Sequence, residues 1–253
     1  MIRIILILII LILFGIYTIF SDIVFAFVKD EKVKSNYNYN VVRFILAIIA
    51  KIAGAKTHIY GGENLKKIDK EMSLFIVSNH RGYFDIVTGY LAIDRYTAIV
   101  AKDTLKNIPL LSHWMKKIDC IFLDRKSLRS GAEMVLNAIK LITEKKSIWI
   151  FPEGTRNKND DPCDLLPFKS GVYKIPEKTD CYIVPMAIIN SEKILENQFP
   201  RIMPFDIYIN IGKPYKYSEL SDESKKDISK YSENEMKDLI AELKEREANY
   251  GRS

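Results

Sequence analysis

One of the chain's three histidines, His80, has an aspartate five residues on, in the run Asn79-His80-Arg81-Gly82-Tyr83-Phe84-Asp85. A carboxylate that holds one imidazole nitrogen fixes the tautomer, and the other nitrogen can then remove a proton from a hydroxyl. On a regular helix, residues five apart are rotated by about 140°. His80 and Asp85 therefore meet only if the chain turns between them, and Gly82 permits a turn. His58 and His113 have no aspartate at that spacing and read as structural or surface residues. A second cluster, Phe151-Pro152-Glu153-Gly154-Thr155-Arg156, closes a strongly apolar run. Pro and Gly make a tight turn there, so backbone amides, Glu153 and Arg156 can face one pocket, and the Arg156 guanidinium is a planar fork suited to phosphate. An ordinary β-turn with a surface arginine fits the same residues. The runs Ile121-Phe122-Leu123-Asp124-Arg125 and Ile183-Val184-Pro185-Met186 each read, alone, as a strand. Nucleotide phosphate loops, serine-hydrolase elbows and zincin motifs are all missing from the sequence.

These clusters need strands to present them. Apolar runs of strand length recur at 74–77, 97–101, 120–123, 147–151, 182–188 and 206–211, and helical periodicity lies between several of them. In 127–146, Ala132, Val135, Leu136, Ile139 and Ile142 recur at threes and fours, with Ser127 or Ser130 as N-cap. The pattern predicts one α/β domain whose central sheet, largely parallel or mixed, is flanked by helices. Ligands of such sheets bind beyond the carboxyl ends of the strands, where the Phe151–Arg156 turn falls. Near the end of the chain Met236, Leu239, Ile240 and Leu243 form one apolar stripe, predicting a docked helix over 232–246.

Composition narrows the class. With 48% hydrophobic and 28% charged residues in 253, the chain is neither disordered nor low in complexity. Cys120, Cys163 and Cys181 form no metal-binding spacing and no paired framework, so reduced thiols are expected. The formal charge of +6 suits an anionic membrane surface or phosphorylated ligands and is too small and dispersed for nucleic acid.

The first part of the chain is of a different character. Residues 4–20 carry no charge and no proline, and the apolar run resumes to residue 28 after Ser21-Asp22. A bilayer span needs about 20 apolar residues. The segment reads as a membrane anchor; a cleaved signal peptide is the rival, because Arg3 precedes the run. Residues 41–55 follow a polar bridge and carry Val42, Ile45, Ile49 and Ile52 on one helical face, interrupted by Arg43 and Lys51. They read as an interfacial amphipathic helix, or else as a core helix of the following domain. Lys29, Lys32, Lys34 and Arg43 outnumber Arg3 across the first segment, which puts the rest of the chain in the cytoplasm if that segment spans. A re-entrant hairpin leaves it on the same side. The expected division is an anchor at 1–56, made of helices at 4–28 and 41–55, and a domain at 57–253.

Taken together and in this order, Asn-His-Arg-Gly-Tyr-Phe-Asp (79–85), Ile-Phe-Leu-Asp-Arg (121–125), Phe-Pro-Glu-Gly-Thr-Arg (151–156) and Ile-Val-Pro-Met (183–186) resemble the glycerolipid acyltransferase family, most closely its bacterial 1-acyl-sn-glycerol-3-phosphate acyltransferases. Phe168-Lys169-Ser170-Gly171 also looks like the family, and an apolar N-terminus is expected of it. Asp119-Cys120 stands where relatives commonly carry glycine. The resemblance implies the fold of the glycerol-3-phosphate acyltransferases, a role in phospholipid synthesis and direct acyl transfer without a covalent intermediate. His80, oriented by Asp85, would deprotonate an acceptor hydroxyl for attack on an acyl thioester. Arg125 and Arg156 would recognise the acceptor, with Glu153, Gly154 and Thr155 shaping its site. Lys102 and Lys169 are further candidates for a phosphate contact, and Pro185 for the acyl-binding wall. Backbone amides at the start of the helix after His80 are the expected oxyanion donors. No cofactor is implied, the thioester of acyl-CoA or acyl carrier protein being a co-substrate. Expected partners are membrane lipids and lysophosphatidic acid, and the expected place is the cytoplasmic face of the inner membrane. Within the family, glycerol-3-phosphate, another lysophospholipid or a lyso-aminolipid are alternative acceptors. Outside catalysis, a membrane-tethered lipid-binding protein is the alternative.

Overall fold

The computed structural model describes residues 2–250; the last three residues of the expected domain lie outside them. The sheet is built from β1 (Ala55–Tyr60), β2 (Leu74–Ser78), β3 (Thr97–Lys102), β4 (Ile121–Leu123), β5 (Ser147–Ile150), β6 (Tyr182–Ile189), β7 (Phe205–Ile211) and β8 (Tyr215–Lys216). Its spatial order is β1-β7-β6-β2-β5-β3-β4, with β8 paired to β6. From β6 to β4 every pairing is parallel, while β7 and β8 run antiparallel to β6. The mixed alternative of the expectation is thus the observed one.

The central strand β2 reads Leu-Phe-Ile-Val-Ser and is buried throughout, as a parallel strand covered on both faces must be. Successive side chains point to opposite faces. Phe75 and Val77 enter one core with α6 (Leu128–Thr143) and α9 (Ile228–Tyr250), whereas Leu74 and Ile76 enter another with α2 (Glu31–Ala53) and α4 (Tyr83–Ala92). Ser127 caps α6 by accepting from the Ser130 amide at 3.1 Å. Its buried face is Met134, Ala138, Leu141 and Ile142, with Val135 and Ile139 at the margin and Leu136 left exposed. The stripe is rotated by about one residue from that expected, because Met134 outcompetes Leu136 for the inner face. In α9, Met236, Ile240 and Leu243 are fully buried, and the helix extends beyond 232–246 at both ends.

The N-terminal region is less separate than its composition suggests. α1 (Ile2–Phe25) is long and apolar enough to cross a bilayer, yet it lies against α5 (Pro109–Lys117). Trp114 stacks on Phe14 at 4.8 Å between ring centroids and donates its indole N–H to Thr18 at 2.8 Å. Asp22 is bound by Lys117 and by His113, the latter at 3.1 Å. Phe25 of α1 also packs on Tyr37 of α2, ring centroids 4.2 Å apart, while Ile5, Leu8, Ile12 and Ile19 stay exposed.

The polar bridge at 29–40 is mostly helical, since Asp30 caps α2 through the amides of Lys32 and Val33. The second half of α2 packs as a core helix, with Ala50 and Ala53 buried among Ile76 and Ile207. Arg43 faces inward and donates to the carbonyls of Tyr90 (2.7 Å), Leu91 (3.0 Å) and Ile93 at the end of α4. A cation at a helix C-terminus meets orphan carbonyls and the negative pole of the helix dipole. The chain then enters β1, so the expected boundary at 56 falls inside a strand.

Candidate active site

The five parallel strands end at one edge of the sheet, which delivers Asn79 from β2, Phe151 from β5, Lys102 from β3, Asp124 from β4 and Asn190 from β6 to the same side. From Ser78 the chain runs extended to Gly82, the N-cap of α4, and Asp85 is the third residue of that helix. Asp85 is completely buried. Its Oδ2 accepts from His80 Nδ1 at 2.8 Å, the Arg81 amide at 2.7 Å and the Gly82 amide at 2.8 Å, and the Ser191 hydroxyl donates to Oδ1. Gly82 adopts φ −147°, open to any residue. What excludes a side chain there is the backbone of Glu192, 3.0 Å from where a Cβ would sit.

A carboxylate can only accept, so Nδ1 carries the proton and Nε2 carries the lone pair. Among the described residues Nε2 has no hydrogen-bond partner. The ring lies on Phe151, with centroids 4.2 Å apart and planes 26° from parallel. Tautomer, ring plane and backbone are all held: the His80 amide donates to Glu153 at 2.8 Å and its carbonyl accepts from the Asn157 amide at 2.7 Å. A pair held in this way has the geometry needed to take a proton from a hydroxyl.

The Phe151–Arg156 turn joins the same assembly. Buried Glu153 uses one oxygen on His80 N–H and the other on Leu166 N–H, at 3.0 Å. Burial pushes its carboxyl above the ordinary carboxylate value, opposed by those two amides. Glu153 therefore ties two loops together. Gly154 adopts φ +71°, a left-handed conformation that favours glycine, and a Cβ there would stand 2.6 Å from Lys169 Cε. Thr155 is exposed. The guanidinium of Arg156 lies 4.1 Å above the Tyr83 ring, and its Nη1 donates to Glu196 at 3.0 Å. Arg125 stands near enough to feel Arg156: the surrounding protein and then that second positive charge draw its guanidinium below its ordinary value, with Asp103 opposing. Among the described residues Arg125, Lys102 and Lys169 make no ion pair.

The structure thus assembles His80, Asp85, Glu153, Gly154 and Arg156, with Lys169 against Gly154 and Arg125 beside Arg156. Lys102 ends β3 at the same edge but is exposed. Pro185 is not brought to this cluster. It pairs in register with Val77, accepts from the Gly212 amide at 2.8 Å, and shares a small cleft with Leu239 of α9. The expected oxyanion donors are also engaged, since the amides of Arg81 and Gly82 serve Asp85 and that of Tyr83 donates to Glu196 at 2.6 Å.

Sequence reasoning missed the segment after β6. Ser191, Glu192 and Glu196 reach Asp85, Arg81 (3.2 Å) and Arg156 respectively. The available signal was that Asn190-Ser191 also follows an apolar strand. His58 and His113, which have no aspartate at the five-residue spacing and read as structural or surface residues, pair with Asp206 (2.6 Å) and Asp22 from distant parts of the chain.

With this geometry in view, comparison with known proteins gives the family. The acyltransferase family model matches residues 56–189, more than half of the chain and all of the assembly up to the end of β6. The chain belongs to the acyltransferase family. It is 29% identical over 192 residues to the 1-acyl-sn-glycerol-3-phosphate acyltransferase of Borreliella burgdorferi, covering 76% of this chain and 74% of that one. To the protein of the same name from Helicobacter pylori it is 32% identical over 183 residues, covering 67% and 75%. Its fold is that of the crystal structure of the 1-acyl-sn-glycerophosphate acyltransferase from Thermotoga maritima, with TM-score 0.74 at 22% identity over 96% of this chain and 98% of the other.

Proposed function

We propose that this chain transfers a fatty acyl group from a thioester to the sn-2 hydroxyl of 1-acyl-glycerol-3-phosphate, producing phosphatidic acid for phospholipid synthesis. The observation that carries the reading is the His80–Asp85 pair, with Nδ1 bound at 2.8 Å and Nε2 open. Nε2 takes the proton of the acceptor hydroxyl as its oxygen attacks the thioester carbonyl. A C–O bond forms, the C–S bond breaks, and the proton passes from the imidazolium to the departing thiolate. The thioester is already activated, so no acyl-enzyme is required. Cys120 and Cys181 are unsuited to make one, because burial pushes their thiols up to about 12 and about 11.

Arg156 and Arg125 favour a phosphorylated acceptor among the possible ones, because two neighbouring guanidiniums, of which Arg125 makes no ion pair among the described residues, match a phosphate monoester. The donor, acyl-CoA or acyl carrier protein, is a co-substrate. The exposed apolar faces of α1 support a place at the bilayer, where lysophosphatidate and its product reside, with the domain on the cytoplasmic face of the inner membrane.

Thiol release from acyl-CoA by the detergent-purified protein, with and without lysophosphatidate, tests the reading. Release that requires the acceptor and is lost in His80→Ala is the expected result. Silence with both acyl-CoA and acyl carrier protein overturns the assignment, and turnover that survives in His80→Ala overturns the base. Lipid binding without turnover would favour the non-catalytic alternative.

A further inference from the structure

The anion seat beside His80 is occupied by the protein itself. At the N-terminus of α4 the Tyr83 amide and Arg156 Nη1 converge, from 2.6 and 3.0 Å, on a single oxygen of Glu196. A backbone amide at a helix N-terminus together with a guanidinium is the donor pair that receives phosphate oxygens. We infer that Glu196 is a placeholder whose carboxylate keeps this seat in the free protein, and that binding of the acceptor's phosphate exchanges one anion for the other. The inference rests on the reading of the acceptor as a phosphate monoester.

Three further features agree. The other oxygen of Glu196 is buried and has no hydrogen-bond partner among the described residues, so the carboxylate is held through one oxygen and is itself incompletely satisfied in the seat. Next, Glu196 rides on a single turn (Glu196–Gln198) between β6 and β7 that ends in exposed Phe199, so it can withdraw without disturbing either core. Ile194, fully buried, anchors the segment behind it. Lastly, Arg125 is close enough to repel Arg156 and has no ion pair among the described residues, Asp103 opposing that repulsion without pairing with it. Burial already pushes the Glu196 carboxyl above its ordinary value, which eases its departure.

A placeholder has two effects. It keeps Arg156 and the Tyr83 amide aligned when no acceptor is bound, and it sets an affinity threshold that a ligand without a phosphate cannot cross. Calorimetric titration of the full-length, detergent-purified protein with sn-glycerol 3-phosphate, with glycerol as control, reads both. Glu196→Gln and Glu196→Ala are expected to bind sn-glycerol 3-phosphate roughly tenfold more tightly than wild type, the size of a competing charge-assisted hydrogen bond. That gain should vanish in an Arg156→Gln background. Should both variants melt early, Glu196→Asp withdraws the carboxylate by one methylene and must also tighten binding. Equal or weaker binding in folded variants would make Glu196 a strut for Arg156 and overturn the inference, as would failure of every variant to bind the phosphate. Tightened binding without acyl transfer to lysophosphatidate would keep the seat and sink the proposed reaction. Acyl transfer with binding indifferent to Glu196 would do the reverse.

Discussion

Two of the histidine–aspartate pairs among the described residues are of nearly equal closeness and have very different surroundings. His80 and Asp85 meet at 2.8 Å at the carboxyl edge of the sheet, and His58 and Asp206 meet at 2.6 Å across β1 and β7. In the first pair the carboxylate is sealed from water, accepts four hydrogen bonds and grips Nδ1, leaving Nε2 open. In the second it is Nε2 that is gripped, and the Asp206 side chain is 40% exposed with Lys56 3.6 Å away. His58 is further packed on Tyr208, with ring centroids 4.9 Å apart. A short contact therefore does not make a base. What distinguishes His80 is a carboxylate that cannot exchange partners with solvent and an outer nitrogen with no hydrogen-bond partner among the described residues.

Substitutions at the two pairs should separate these roles. The largest effect is expected from His80→Ala, which should lower acyl transfer by roughly 10²–10⁴-fold, the usual contribution of a general base, with little change in the melting curve. Asp85→Asn should lower turnover about a hundredfold and also destabilise the fold by about 2 kcal/mol, because a neutral amide oxygen would replace the charged oxygen that three N–H donors share; turnover and denaturant titration read the two effects.

A smaller loss, about tenfold in turnover, is expected for Ser191→Ala. Without the hydroxyl, Asp85 Oδ1 is left buried and unpartnered, so the carboxylate holds His80 Nδ1 less firmly in place. Ser191→Thr should restore the turnover, and unchanged turnover in Ser191→Ala would reduce Ser191 to packing. Smallest is His58→Ala, which should keep wild-type turnover while costing about 1 kcal/mol of stability, the upper range of a partly exposed pair. Loss of activity there would break the comparison, since it would give the second pair a part in the chemistry.

The first pair was legible in the sequence because its partners are five residues apart and both lie in the turn from strand to helix. Asp206 and Asp22 lie far along the chain from their histidines, and no local spacing announces them. The same limit hid Ser191 and Glu196, which reach the site only because β6 lies beside β2. The parallel strands were readable as unbroken apolar runs buried on both faces. β1 was not, since this edge strand has no fully buried residue, carries Lys56 and His58, and resembles loop. The polar start of α2 concealed a helix that is set by the Asp30 cap. Arg43 looked like an interruption of an apolar face until the end of α4 supplied its carbonyl acceptors.

One residue of the His80 motif does no chemistry and still governs when the motif exists. The side-chain amide of Asn79 donates to the Ile188 carbonyl and accepts from the Ile188 amide, both at 2.8 Å, standing in for a peptide group where β2 leaves the ladder. The Ile188 proton is thereby sealed by a side chain that must swing away before deuterium can enter. Its exchange rate accordingly measures how often the assembled site comes apart, and a ligand that closes the site should slow that one amide before any other in β6.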